Sequence, residues 1–193
     1  RRRGLRDDII RKFQLGYSLE QRAALAQKAH SKGFEDKYIE STGLCYRTDD
    51  GRLLDRYHGR VIFPVHSVSG RIVAFGGRIL STEQKNVGKY VNSPESEIYS
   101  KKKELYGLYL AKQAIVKQDR CYLVEGYLDV ISMHQSGVEN VVASSGTALT
   151  PEQVRLIHRF TDNVTVLYDG DAAGIHASLR GIDILLSEGL SIK

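Results

Sequence analysis

Three carboxylates, Glu125, Asp169 and Asp171, are the side chains whose types and spacing could do chemistry. Glu125 follows the apolar run Cys121-Tyr122-Leu123-Val124, and Asp169 and Asp171 follow a second run that begins at Val164. In open α/β sheets ligands sit off the C-terminal ends of the strands, and residues two apart on extended backbone point to one side. Three carboxylates gathered there would repel one another unless a cation neutralised them. With no His or Cys in the set, the expected ion is hard, Mg²⁺ or Mn²⁺, which keeps several waters and accepts phosphate oxygens as further ligands. Asp129 lies one helical turn beyond Glu125 and could face the same ion, or equally serve as a first-turn acid on the helix dipole. The plainer alternative for Glu125-Gly126 and Asp169-Gly170-Asp171 is turn and cap duty, for which Asp and Gly are the usual residues. A calcium loop is excluded, because position twelve counted from Asp169 is Arg180 where a bidentate Glu is needed. No GxxxxGK[ST] phosphate loop occurs either.

The elements that would position these acids follow from pattern. Apolar β-branched runs at 121–124, 138–143 and 164–168 alternate with helical spacing, which predicts βαβαβ with a parallel sheet covered on both faces. Thr150-Pro151-Glu152-Gln153 is a helix start with cap, N1 proline and capping box. Upstream, residues 7–13 read as a short helix, and Ser18 with Gln21 reads as a capping box opening a second helix to about Ser31. Two apolar runs, 61–63 and 72–75, flank a Ser/Gly turn at 67–70 and predict a hairpin, with Pro64 making its first strand an edge or irregular one. Residues 81–88 are polar and read as a surface loop, and Leu105, Leu108, Tyr109, Lys112 and Val116 are spaced for a helix. The fold class is therefore α/β: an α+β subdomain over 1–118, then a parallel-sheet α/β subdomain over 119–193.

Charge separates the same halves. Residues 1–120 carry 24 basic and 14 acidic side chains, and residues 121–193 carry 4 basic and 9 acidic, within a 193-residue chain of formal charge +5. A basic half suits a polyanion such as nucleic acid, and an acidic half suits a metal ion or a solvated face. No run of 18 apolar residues is present, which excludes a membrane-spanning helix. Two widely spaced cysteines, Cys45 and Cys121, encode neither a disulfide framework nor a Cys-based zinc site, so a reducing, cytoplasmic setting is expected. Arg1 in place of a start methionine, and Ser191-Ile192-Lys193 where another strand could begin, give the expectation of a piece of a longer chain.

Glu125-Gly126-Tyr127-Leu128-Asp129 together with Tyr168-Asp169-Gly170-Asp171-Ala172-Ala173-Gly174 resembles the TOPRIM domain of bacterial primases, topoisomerases and some nucleases. Gly59 to Val65 running on to Ala74-Phe75-Gly76-Gly77-Arg78, and Lys89-Tyr90-Val91-Asn92-Ser93-Pro94-Glu95 followed by Lys103 to Leu108, narrow the resemblance to the bacterial DnaG-type primase. It spans almost the whole chain. It implies most of an RNA polymerase core that joins ribonucleoside triphosphates into an RNA primer on a single-stranded DNA template, with Mg²⁺ or Mn²⁺ on Glu125, Asp169 and Asp171. Arg78, Lys89 and Lys101 match basic positions of the family's motifs and would contact triphosphate or nucleic-acid backbone, with Asn92 in the same loop as a polar ligand; Arg3 and Arg60 are weaker candidates for the template strand, for which surface solubility is the alternative. The family's zinc-binding domain would precede residue 1. Its later Asp-Pro-Asp motif and its region for the replicative helicase would follow residue 193.

Two other functions use the same features. The carboxylates and metal could serve TOPRIM-type strand cleavage, against which the primase-like segments before residue 110 argue. Alternatively the basic half could act alone as a nucleic-acid-binding module.

Overall fold

The structure is a computed structural model that describes residues 4–80, 88–146 and 148–193. The surface loop expected at 81–88 lies, but for Gly88, outside the described residues, as does Arg3. Element order is α1 (Asp7–Lys12), β1 (Gly16–Tyr17), α2 (Ala24–Ser31), α3 (Asp36–Ser41), β2 (Cys45–Arg47), β3 (Leu53–Asp55), β4 (Arg60–His66), β5 (Ile72–Ile79) and β6 (Tyr90–Asn92). A 3₁₀ turn at Lys101–Lys103 follows, then α4 (Leu108–Gln118), β7 (Cys121–Val124), α5 (Tyr127–Gln135), β8 (Val141–Ala143), α6 (Pro151–His158), β9 (Asn163–Val166), α7 (Ala172–Ser187) and β10 (Ser191–Ile192). Two compact units result: one comprises Ile10–Pro64 and Val73–Tyr99, the other Arg1–Ile9, Val65–Ile72 and Ser100–Lys193.

The first unit holds an antiparallel sheet in the order β1-β4-β5-β6 and a β2-β3 ribbon. The expected hairpin joins β4 and β5 through a turn, counted with the second unit, that is closed by Ser67 and Gly70, whose amide donates to the Ser67 carbonyl at 2.9 Å. Pro64 does not put β4 at an edge, since β4 lies between β1 and β5. The Ser18 amide bonds the Arg60 carbonyl, so Arg60, Ile62 and Pro64 face the β1 side. β1 pairs only with Val61 and Ile62 and ends before Pro64, whose missing N–H therefore costs no ladder bond.

The expected start of the second helix at Ser18 is also corrected. Ser18 extends the β1 pairing, and α2 opens at Ala24 after an Ala23 N-cap with no side-chain acceptor of its own. Its first amides are satisfied from a distance: buried Asp55 on β3 accepts Leu25 N–H at 2.7 Å and Ala26 N–H at 3.0 Å. A small core of Ala26, Ile39 and Cys45 sits under this arrangement.

The second unit carries a parallel sheet in the order β10-β9-β7-β8, with registers Leu123↔Val142 and Leu123↔Val166 at its centre. β7 is flanked on both edges, and Leu105, Leu108, Ile115, Leu123, Val154, Ile157 and Leu185 are buried around it. The run at 138–143 shortens to a three-residue strand because Val138 N–H closes the end of α5 on the Met133 carbonyl, after Gly137 at φ 90°. Thr150 caps α6 as expected: it accepts Gln153 N–H at 3.2 Å, and Gln153 Oε1 accepts Thr150 N–H at 3.1 Å. Ser191 does begin a strand, parallel to β9. Among the described residues no helix is long and apolar enough to cross a membrane, and both cysteines are buried and free.

Candidate functional site

The C-terminal ends of β7 and β9 bring Glu125 and the Asp169-Gly170-Asp171 turn together. Leu167 N–H donates to the Leu123 carbonyl at 2.8 Å, which carries the β7/β9 ladder one step past β9. Two residues on, Asp169 N–H donates to Glu125 Oε1 at 2.9 Å. Asp171 is the N-cap of α7, and its Oδ1 accepts Gly174 N–H at 2.8 Å. Asp171 keeps extended backbone at φ −79° and ψ 168° as the N-cap, and the helix itself begins at Ala172.

Gly174 is the point where these groups meet. A Cβ built on it would lie 2.1 Å from the Asp169 carbonyl oxygen and 2.9 Å from Glu125 Oε1, so no side chain fits at this position. Asp129 serves as the first-turn acid of α5, reaching back to Gly126 N–H with Oδ2 at 3.0 Å. Among the described residues no three His, Cys, Asp or Glu side chains stand in a group that could hold a metal ion. The donors nonetheless suit a hard cation in kind: all are oxygens, Glu125 and Asp171 each keep a second oxygen, and the Asp169 side chain is exposed. The backbone amides of Asp169 and Gly174 hold the oxygens that a cation would have to share.

Next to Glu125 opens a cleft of about 210 Å³ lined by Ser144, Leu149, Tyr168, Arg180 and Ile184. Burial, reinforced by the nearby Glu125 charge and opposed by the Ser144 hydroxyl, pushes the Tyr168 phenol above its ordinary value. Ser144, Tyr168 and Arg180 were not singled out from the sequence. Arg180 recurs one helical step from Ala177 and Ile184 on α7, a spacing that could have flagged it.

The cations of the antiparallel unit divide by burial. Arg78 on β5 lies opposite Tyr90 on β6, with Nη1 3.2 Å from the phenol oxygen and the guanidinium 5.4 Å from the ring centre. Asn92, two residues beyond Tyr90 and opposite Gly76, shares that face. Arg78, Tyr90 and Asn92 thus form one polar, half-exposed stripe, and the period-two spacing of Tyr90 and Asn92 was the signal for the tyrosine. Lys89 is exposed, and its carbonyl accepts Ile79 N–H at 3.1 Å.

Arg60 is a correction to the expected template contacts. It is 5% exposed, with Nη1 donating to the Gly88 carbonyl at 3.0 Å and reaching those of Lys89 and Gly77. Burial draws its guanidinium below the ordinary value. It ties Gly77 of β5 to Gly88 and Lys89 just ahead of β6, a buried setting unlike that expected of a template contact.

In the second unit the Lys101–Lys103 turn is docked by its backbone. The Lys101 carbonyl accepts from Gln153 Nε2 at 2.9 Å, and the Lys102 carbonyl accepts from Thr150 Oγ1 at 2.7 Å. Lys102 and Lys103 are exposed, whereas Lys101 is half-buried.

A parallel α/β sheet with acidic turns at its strand ends defines a Toprim-like domain, and the matching family model of that description covers residues 122–193. A second, described as DNA primase catalytic core, N-terminal domain, covers residues 1–112. Residues 113–121 lie between the two matches. DNA primases of Halalkalibacterium halodurans and Clostridium acetobutylicum are 44% and 42% identical over 100% and 99% of this chain, which covers 32% and 31% of their lengths. Among solved structures, the zinc-binding and RNA polymerase domains of Aquifex aeolicus primase match with a TM-score of 0.90 at 37% identity, over 99% of this chain and 46% of that one. The E. coli primase catalytic core matches with a TM-score of 0.89 at 35% identity, over 100% and 61%. The chain belongs to the bacterial DNA primase family, in its catalytic core. It spans about a third of the length of the curated relatives it matches.

Proposed function

We propose that the chain forms the greater part of a primase polymerase core, building RNA primers from ribonucleoside triphosphates on single-stranded DNA in the bacterial cytoplasm. The observation that carries this reading is the convergence of Glu125 and the Asp169–Asp171 turn on Gly174 at the ends of neighbouring parallel strands. A structure of the DnaG primase catalytic domain described as bound to single-stranded DNA matches at 35% identity and a TM-score of 0.86 over 96% of this chain and 57% of that one, which supports the choice of template.

Glu125, Asp169 and Asp171 would hold divalent cations, which, when bound, neutralise the triphosphate and stabilise charge on the attacking and leaving oxygens. In the transfer, the primer 3′-hydroxyl oxygen bonds to the α-phosphorus as the bond to pyrophosphate breaks, and the hydroxyl proton passes to water. No covalent enzyme intermediate is required. Arg78 offers a planar fork to phosphate oxygens, held against Tyr90, while Lys89 acts as a mobile point charge and Asn92 as a neutral donor. The helicase partner would bind a region outside this chain.

The test is anomalous scattering from crystals of the chain soaked with Mn²⁺ and a ribonucleoside triphosphate. Manganese on Glu125, Asp169 and Asp171, with the triphosphate on Arg78 or Lys89, is the expected result. No manganese there, together with DNA binding indifferent to EDTA and nucleotide, would reduce the chain to a binding module.

A further inference from the structure

The carboxylate site is organised around a residue with no side chain. Gly174 lies in the first turn of α7, where an alanine would be the better helix former. Its φ is ordinary, so backbone freedom does not explain a glycine there. Space does. The position a Cβ would take lies 2.1 Å from the Asp169 carbonyl oxygen, 2.9 Å from the Asp169 carbonyl carbon and 2.9 Å from Glu125 Oε1. The first two atoms are backbone and cannot swing aside as a flexible side chain would. The Gly174 amide meanwhile holds Asp171 Oδ1 at 2.8 Å, and the Asp169 amide holds the same Glu125 oxygen that the missing methyl would strike. One residue therefore meets the carboxylates of Glu125 and Asp171 and the backbone that carries Asp169.

We propose that Gly174 is the positioning residue of the carboxylate site, setting the separation of Glu125, Asp169 and Asp171 through its amide and its bare Cα. The inference rests on the reading that these acids hold a divalent cation. Adding a methyl at 174 drives the Asp169 carbonyl and the Glu125 carboxylate away from the helix. The α7 cap on Asp171 keeps its donor, so the third acid stays while the other two move. The contrast within the same helix is Gly181, where an added methyl meets Leu149 Cδ2 at 3.7 Å, an ordinary contact.

Mn²⁺ affinity, read by electron paramagnetic resonance, is measured for the chain and for Gly174→Ala, Gly181→Ala, Glu125→Gln and Asp169→Asn, with far-UV circular dichroism on each. Gly174→Ala is expected to bind roughly 10–100-fold more weakly, the range found when groups that orient metal ligands are disturbed. Its helix content should match that of Gly181→Ala, which binds as the parent does. Parent-like affinity in Gly174→Ala, with Glu125→Gln and Asp169→Asn weakened, overturns the role of Gly174 and leaves the metal reading standing. A parent chain that binds no Mn²⁺ removes the metal reading and this inference with it.

Should Gly174→Ala fail to fold, ¹⁵N-resolved amide shifts of the parent under Mg²⁺ titration decide the matter. Asp169 and Gly174 amides moving with one midpoint support the coupling, and a Gly174 amide that stays still while that of Asp169 moves overturns it.

Discussion

Asp171 holds two duties that a pair of substitutions separates. Its Oδ1 caps α7 through Gly174 N–H at 2.8 Å, and its carboxylate is offered to a cation. Asparagine keeps an oxygen acceptor of the same reach and ranks with aspartate as an N-cap, whereas alanine removes it at about 1 kcal/mol. Asp171→Asn loses only the favourable meeting of a negative charge with the helix N-terminus, roughly 0.3–1 kcal/mol, partly returned by relief of repulsion from Glu125 and Asp169. The difference between Asp171→Ala and Asp171→Asn therefore isolates the cap. For a chain of this size about 1 kcal/mol corresponds to roughly 2–4 °C in Tm. Asp169→Asn supplies the contrast, because only the backbone amide of Asp169 holds Glu125 and its side chain is exposed. It should leave Tm unchanged without metal. All three substitutions should abolish Mn²⁺ binding. Thermal unfolding followed by circular dichroism, with and without Mn²⁺, reads both quantities. Equal Tm values for Asp171→Ala and Asp171→Asn would refute the cap, and parent-like Mn²⁺ affinity in any of the three would refute the ligand assignment.

Arg60→Ala removes the donor to the carbonyl of Gly88, an exposed residue that water can reach, and should destabilise the chain by about 1 kcal/mol in urea unfolding. The salt dependence of its DNA binding should stay at the parent slope, and a shallower slope would restore Arg60 as a template contact. Arg78→Ala and Lys89→Ala should each flatten that slope by about 0.7 for single-stranded DNA if each meets one phosphate; parent-like slopes would make them solvated surface charges. Half-buried Glu104 has its carboxyl pushed up to about 6 by burial, from an ordinary 4.5. A raised folded-state value means that stability present below pH 4.5 is lost as pH rises through about 6. Glu104→Gln should therefore raise stability at pH 7.5 by about 1 kcal/mol, a figure reduced for the solvent screening of a partly exposed group, and give no gain at pH 4. An equal gain at both values would show that packing and not charge is responsible.

What the sequence disclosed was local, and what it hid was distant. Thr150 and Gln153 satisfy one another within four residues, so their pattern sufficed. Ser18 and Gln21 show a similar pattern, yet the helix there is capped by Asp55, thirty residues from Leu25, and Ser18 is spent on a strand. Pro64 signals a missing ladder bond, but only the two-residue length of β1 reveals that the bond had no partner to lose. Asp129 was open between ligand and helix acid, and its bond to Gly126 N–H gives it the second role in this structure.

The same distinction governs the basic residues. Arg60 and Arg78 belong to one motif-bearing stretch and are indistinguishable by charge, but a guanidinium's worth to nucleic acid depends on whether it is open to solvent. Arg60 is buried with its Nη1 among the carbonyls of Gly77, Gly88 and Lys89, a reach that a shorter side chain would not have. Arg78 is half-exposed and meets the phenol and the ring face of Tyr90, which orient its guanidinium. A buried arginine that feeds carbonyls builds the scaffold, and a stacked, half-exposed arginine is open to phosphate. Burial, with net charge set aside, thus separates the arginine that holds this sheet together from the one open to a polyanion.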